Sequence, residues 1–118
     1  MTVDTAAAPG RPPAADLTGP VLVVGSGLLG TSVGLALRRH GTVVHVVDLD
    51  ERNQRRSAEL GAGVEGWPDA DPQLAVVAVP PLAVGAVVAE VQRRYPTCVV
   101  TDLASAKSVP QHDVLAHG

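Results

Sequence analysis

Gly25-Ser26-Gly27-Leu28-Leu29-Gly30 places three glycines at the G-x-G-x-x-G spacing, directly after the apolar run Val21-Leu22-Val23-Val24. A glycine turn between a strand and a helix leaves free backbone N–H groups and the positive end of the helix dipole facing outward, which suits a diphosphate. The three glycines have separate tasks: Gly25 for a tight turn, Gly27 for close approach of backbone to pyrophosphate, and Gly30 for packing of helix against strand. A second β-type run, Val43-Val44-His45-Val46-Val47, ends in Asp48, 18 residues after Gly30. An acid about 20 residues past the glycines is the expected partner of an adenosine ribose. Asp48 accepts from ribose hydroxyls and repels the extra phosphate of NADP, so NAD is the expected cofactor; the plainer alternative is that Asp48 only caps the following helix.

Two further segments follow predicted strands. Val79-Pro80-Pro81 closes the apolar run Leu74 to Val79, where the chain turns at the carboxyl end of the sheet. Ligands bind at that edge in open α/β sheets, so the prolines either pass beside the nucleotide or simply start a helix. Thr101-Asp102-Leu103-Ala104-Ser105-Ala106-Lys107 follows the last predicted strand. That loop again lies at the carboxyl edge, in range of a nicotinamide ring, which makes Asp102 a candidate cofactor-binding residue; the plainer alternative is that Ser105 caps a final helix, Asp102 braces the loop and Lys107 is solvated.

Apolar strand-like runs at about 21–25, 43–48, 74–79 and 98–101, with a weak one near Val64, alternate with helix-like runs at about 28–40, 51–60, 81–94 and 106–116. That alternation predicts an α/β domain of Rossmann type: a parallel sheet with helices on both faces. Residues 1–19, rich in Ala, Pro and Gly, read as a flexible leader, and 20–118 as the dinucleotide-binding domain. Arg38-Arg39-His40 and Gly41 suit a helix end, and Asp50 suits an N-cap. His45 reads as a core or sheet-edge histidine, and Arg52, Arg55 and Arg56 as a solvated helix face, with Arg52 alone near enough to Asp48 to reach a ribose.

The 118 residues carry 46% hydrophobic residues, enough for a single core. A net charge of −3 gives no electrostatic footprint for nucleic acid or an anionic membrane, and no metal site is expected. The one cysteine, Cys98, reads as a structural thiol in an apolar run. No apolar stretch is long enough to span a membrane and no signal-peptide core is present, so a cytoplasmic location is expected.

Taken together, Val23 to Ser32, Asp48, Val79-Pro80-Pro81 and Thr101 to Lys107 resemble the nucleotide-binding half of prephenate dehydrogenases, including the similar arogenate enzymes. The likeness runs from about Pro20 to His117, and its most specific part is the Asp-x-x-Ser-x-Lys loop, in which this chain has Ala104 where the family often has Gly. The resemblance implies an oxidative decarboxylation: the carbinol carbon of prephenate gives hydride to NAD and the ring becomes aromatic as carbon dioxide leaves. It assigns Ser105 a catalytic place beside the nicotinamide. It also implies a Gly-His-Pro histidine and a helical, dimerising C-terminal domain that would lie beyond Gly118, with His117 no substitute. A fragment of that enzyme, inactive alone, is therefore expected. The alternatives are a stand-alone NAD-binding regulatory module and the nucleotide domain of another small-molecule dehydrogenase, such as an imine reductase or hydroxyacid dehydrogenase.

Overall fold

A computed structural model describes residues 17–103. Ser105, Lys107 and the helix expected over 106–116 lie outside the described residues. Strand and helix alternate except between β3 and β4, which follow one another directly: β1 (Val21–Val24), α1 (Leu28–Arg39), β2 (Val44–Val47), α2 (Glu51–Glu59), β3 (Val64–Glu65), β4 (Leu74–Val77), α3 (Pro81–Arg94) and β5 (Val99–Asp102). All five strands are parallel, in the order β3-β2-β1-β4-β5. The chain leaves β1 toward β2 and β3, then crosses back to place β4 on the other side. The β1/β4 boundary is therefore the switch point, where a crevice opens at the carboxyl ends of the strands.

Strands covered on both faces need apolar residues at successive positions, which is why β1 is buried along its whole length. Period-two alternation splits the core. Val21, Val23, Val44, Val46 and Val76 face one side, where Val33 and Leu37 of α1 and Ala58 of α2 pack on them. Leu22, Val24, Val47 and Ala75 face the other, against Val87, Val91 and Tyr95 from α3 and its end.

The element ends follow local chemistry. The Asp50 side chain accepts the Arg52 N–H at 2.9 Å, so Asp50 and not Asp48 caps α2. Gly41 takes φ of +87° after α1, and Pro81 opens α3. β4 stops at Val77 although its apolar run continues to Val79, because its neighbour β1 ends at Val24; one further bond, Ala78 N–H to Val24 O at 2.8 Å, closes the pairing. The fold includes Leu17–Gly19, earlier than the start at Pro20 expected from composition. Leu17 packs on the first core face and its carbonyl accepts from Thr42 Oγ1 at 2.6 Å, and Val43 N–H donates to Thr18 O at 2.9 Å. His45, on the interior strand β2, is half-buried with Nδ1 3.2 Å from Gly66 O. Cys98 is also half-buried, and burial, then the charge of Asp71, pushes its thiol pKa up.

Candidate functional site

The glycine loop joins β1 to α1 at the switch point. Gly25 has φ of +101°, a backbone that side chains rarely adopt, and its N–H bonds Val47 O at 2.8 Å, tying the turn to β2. A Cβ on Gly30 would lie 1.7 Å from Gly25 O, so helix and loop meet there only because position 30 has no side chain. Gly27 differs: its backbone is extended and a Cβ would meet nothing within 4 Å. Its open side faces outward. The N-cap Gly27 has no capping side chain and the first turn of α1 has no acid. The first N–H groups of a helix have no intrahelical acceptor, so Leu28 and Leu29 present theirs, with the positive dipole end, to the cleft they line.

Asp48 follows β2 and reaches back to that loop. Its Oδ2 accepts from Ser26 N–H at 2.7 Å and Ser26 Oγ–H at 2.8 Å, and its Oδ1 accepts from Asp50 N–H at 2.8 Å. Its own N–H donates to Gln54 Oε1 at 2.9 Å. The Arg52 guanidinium lies 3.8 Å from Asp50 and is largely exposed.

An open cleft of about 1130 Å³ runs along the switch point, walled by Gly25, Gly27, Leu28, Leu29, Asp48, Val79, Pro80 and Pro81. Two expected residues stand behind it: Ser26 is buried under the loop on Asp48, and Gly30 packs on Gly25. Asp102 ends β5 at the same edge without lining this cleft. The walls also include Leu49, Asn53, Trp67, Glu90 and Arg94, which sequence reasoning did not single out. Arg94 lies with its guanidinium 3.9 Å from the Trp67 ring centroid and pairs with Glu90 at 2.8 Å. Hydrogen bonds from Arg93 and then Arg94 hold the Glu90 carboxyl below its ordinary pKa. Trp67, the single tryptophan, directly after Gly66 at the end of a strand, was the one sequence signal for this wall.

A five-stranded 3-2-1-4-5 parallel sheet, with a glycine loop opening on its switch-point cleft and an acid at the end of the second strand, defines the Rossmann class of dinucleotide-binding domains. Comparison with known proteins narrows the class. The model of the prephenate dehydrogenase nucleotide-binding domain matches residues 33–118, and the chain belongs to that family. A probable prephenate dehydrogenase of Streptomyces niveus, NovF, is 36% identical over 97 residues, which is 82% of this chain and 27% of that protein. This chain thus spans about a quarter of that relative. Among solved structures, the arogenate dehydrogenase of Synechocystis aligns with TM-score 0.63 and 23% identity over 70% of this chain and 32% of its own. The shikimate 5-dehydrogenase of Thermus thermophilus, solved with NADP(H) and shikimate, aligns with TM-score 0.57 and 28% identity over 75% of this chain and 36% of its own. The family match begins after Gly30 and does not include the glycine loop.

Proposed function

We propose that this chain is the NAD-binding domain of a dehydrogenase that acts on prephenate or arogenate, a step of tyrosine biosynthesis. The observation that carries the nucleotide reading is the open side of Gly27 beside the Asp48 carboxylate, in one cleft at the switch point. The cleft fits an extended dinucleotide: bare backbone for a diphosphate, the Asp48 acceptor in the same cleft for a ribose, and apolar walls for the rest. When bound, the nicotinamide supplies the hydride acceptor for oxidation of the substrate carbinol. The N–H groups of Leu28 and Leu29 would hold the diphosphate, Asp48 Oδ1 would take a ribose hydroxyl, and Val79-Pro80-Pro81 would form a rigid rim toward the nicotinamide half. Ser105 is assigned the place beside the substrate hydroxyl on the family likeness alone, and Asp102 braces its loop. The name of the Streptomyces relative supports prephenate as substrate, and that of the Synechocystis structure supports arogenate. Homodimerisation through a further domain, and a cytoplasmic location, belong to the same proposal; among the described residues no helix is long and apolar enough to cross a membrane.

Titration calorimetry with NAD and NADP tests the cofactor. NAD is expected to bind more tightly, since Asp48 repels a 2′-phosphate; equal or tighter NADP binding would overturn the choice. Gly27→Val puts a side chain on the open side, where a Cβ meets nothing within 4 Å, so it is expected to abolish binding with the fold retained. Wild-type affinity in that variant refutes the phosphate-loop assignment.

A further inference from the structure

Ser26 lies within the glycine loop yet turns its side chain away from the cleft and is only 6% exposed. Both of its donors, N–H at 2.7 Å and Oγ–H at 2.8 Å, converge on a single oxygen, Asp48 Oδ2. Ser26 is itself held from behind: its carbonyl accepts from Thr31 Oγ1 at 3.0 Å, and the Thr31 hydroxyl shares a hydrogen bond of 3.1 Å with buried Ser57. The other oxygen, Asp48 Oδ1, already accepts from Asp50 N–H at 2.8 Å. A carboxylate offers about four lone-pair sites. Among the described residues three are filled, and one acceptor site on Oδ1 remains.

We propose that Ser26 is a positioning residue that sets the choice between the two nicotinamide nucleotides. Its paired donors lock the Asp48 carboxylate so that the one remaining acceptor meets a ribose hydroxyl and the negative charge stays where a 2′-phosphate would lie. Without the hydroxyl, the carboxylate keeps only the Ser26 N–H on Oδ2 and gains freedom to swing toward solvent, loosening the ribose bond and opening room for the phosphate. Hydrogen bonds to an ionised acceptor are the strong ones, so losing one of two on the same oxygen is felt. This inference rests on the assignment of Asp48 to the ribose under Proposed function.

The test is a double-mutant cycle of Ser26→Ala and Asp48→Ala in the 118-residue chain, read as dissociation constants for NAD and NADP. Binding is followed through Trp67, the single tryptophan and a wall of the cleft. Ser26→Ala is expected to weaken NAD about tenfold and leave NADP within about twofold, the scale of one hydrogen bond to a charged group. In the Asp48→Ala background the same substitution is expected to leave NAD affinity unchanged, since nothing remains to be positioned. Equal weakening of both nucleotides by Ser26→Ala, or additive effects of the two substitutions, overturns the proposal by reducing Ser26 to loop structure. If Asp48→Ala erases the preference for NAD and Ser26→Ala does not shift it, the positioning role alone fails. If Asp48→Ala leaves the preference intact, the ribose assignment fails and the positioning role falls with it.

Discussion

Gly27 and Gly30 stand three positions apart in one loop for opposite reasons, and stability separates them. A Cβ at Gly30 would press into Gly25 O at 1.7 Å, a backbone atom that can move only if β1 or α1 moves. Gly30→Ala is therefore expected to destabilise the fold by at least ~2 kcal/mol, the scale of overpacking in a tight contact. Gly27→Ala meets nothing within 4 Å on a backbone open to any residue, and is expected to change stability by less than about 0.5 kcal/mol. Urea denaturation of the two variants checks both numbers, and comparable losses would remove the distinction between a packing glycine and a ligand glycine. The motif spacing made both glycines legible in the sequence. The bond from Ser26 to Asp48 was not, because the residue between the first two glycines has no side-chain requirement and a contact across 22 positions leaves no local pattern.

At the scale of elements, α3 shows which parts a sequence declares and which need the fold. Its span, Pro81–Arg94, coincides with the expected run, since a proline at the start and two arginines in the last turn are local signals. What its C-terminal end does is not local. Tyr95, buried after α3, donates its hydroxyl to Pro68 O at 2.7 Å, and its ring lies 6.5 Å from Trp67, so the end of α3 pins the connection between β3 and β4. Tyr95→Phe leaves a carbonyl without its partner and is expected to cost about 1–2 kcal/mol in urea denaturation. The same hydroxyl sets an alkaline limit. Burial raises the Tyr95 pKa above its ordinary 10.0, so the folded state keeps a proton that the unfolded state has released. Its contribution is complete below pH about 10, and it is lost as pH rises through the folded value. Cys98, raised above 9.0 mainly by burial, acts in the same direction from a lower pH. In a Cys98→Ala background, stability above pH about 10 is expected to fall more steeply with Tyr95 retained than with the Tyr95→Phe substitution added. Parallel curves would remove Tyr95 from the pH response.

For the whole molecule, alternating strand and helix runs predicted a parallel sheet, but the order β3-β2-β1-β4-β5 appears only in the pairing, where Val24 lies between Val47 and Val77. That order places the glycine loop, Asp48 and Pro80-Pro81 around one cleft, although they are spread over more than fifty residues of sequence. Among the described residues, the titratable groups on its walls are Asp48, Glu90 and Arg94. Asp48 is held by Ser26 and Asp50 and, in the proposed reading, its remaining acceptor site belongs to the ribose, while Glu90 lies nine residues beyond Pro81, about 13 Å along the helix axis from the rim. Among the described residues, none of these three groups belongs to the Val79-Pro80-Pro81 rim itself. Holding a donor carbon against the nicotinamide in near-attack geometry is worth ~7–11 kcal/mol of a barrier. A positioned acid or base adds roughly 10²- to 10⁴-fold. The 118-residue chain is therefore expected to bind NAD while producing no measurable NADH from prephenate or arogenate, even with both at saturation. The assay is NADH absorbance with the purified chain, run beside a binding titration so that a silent assay is not mistaken for an empty cleft. Robust turnover that disappears in Ser105→Ala would overturn this expectation and show that the chain assembles a complete catalytic centre around its own serine.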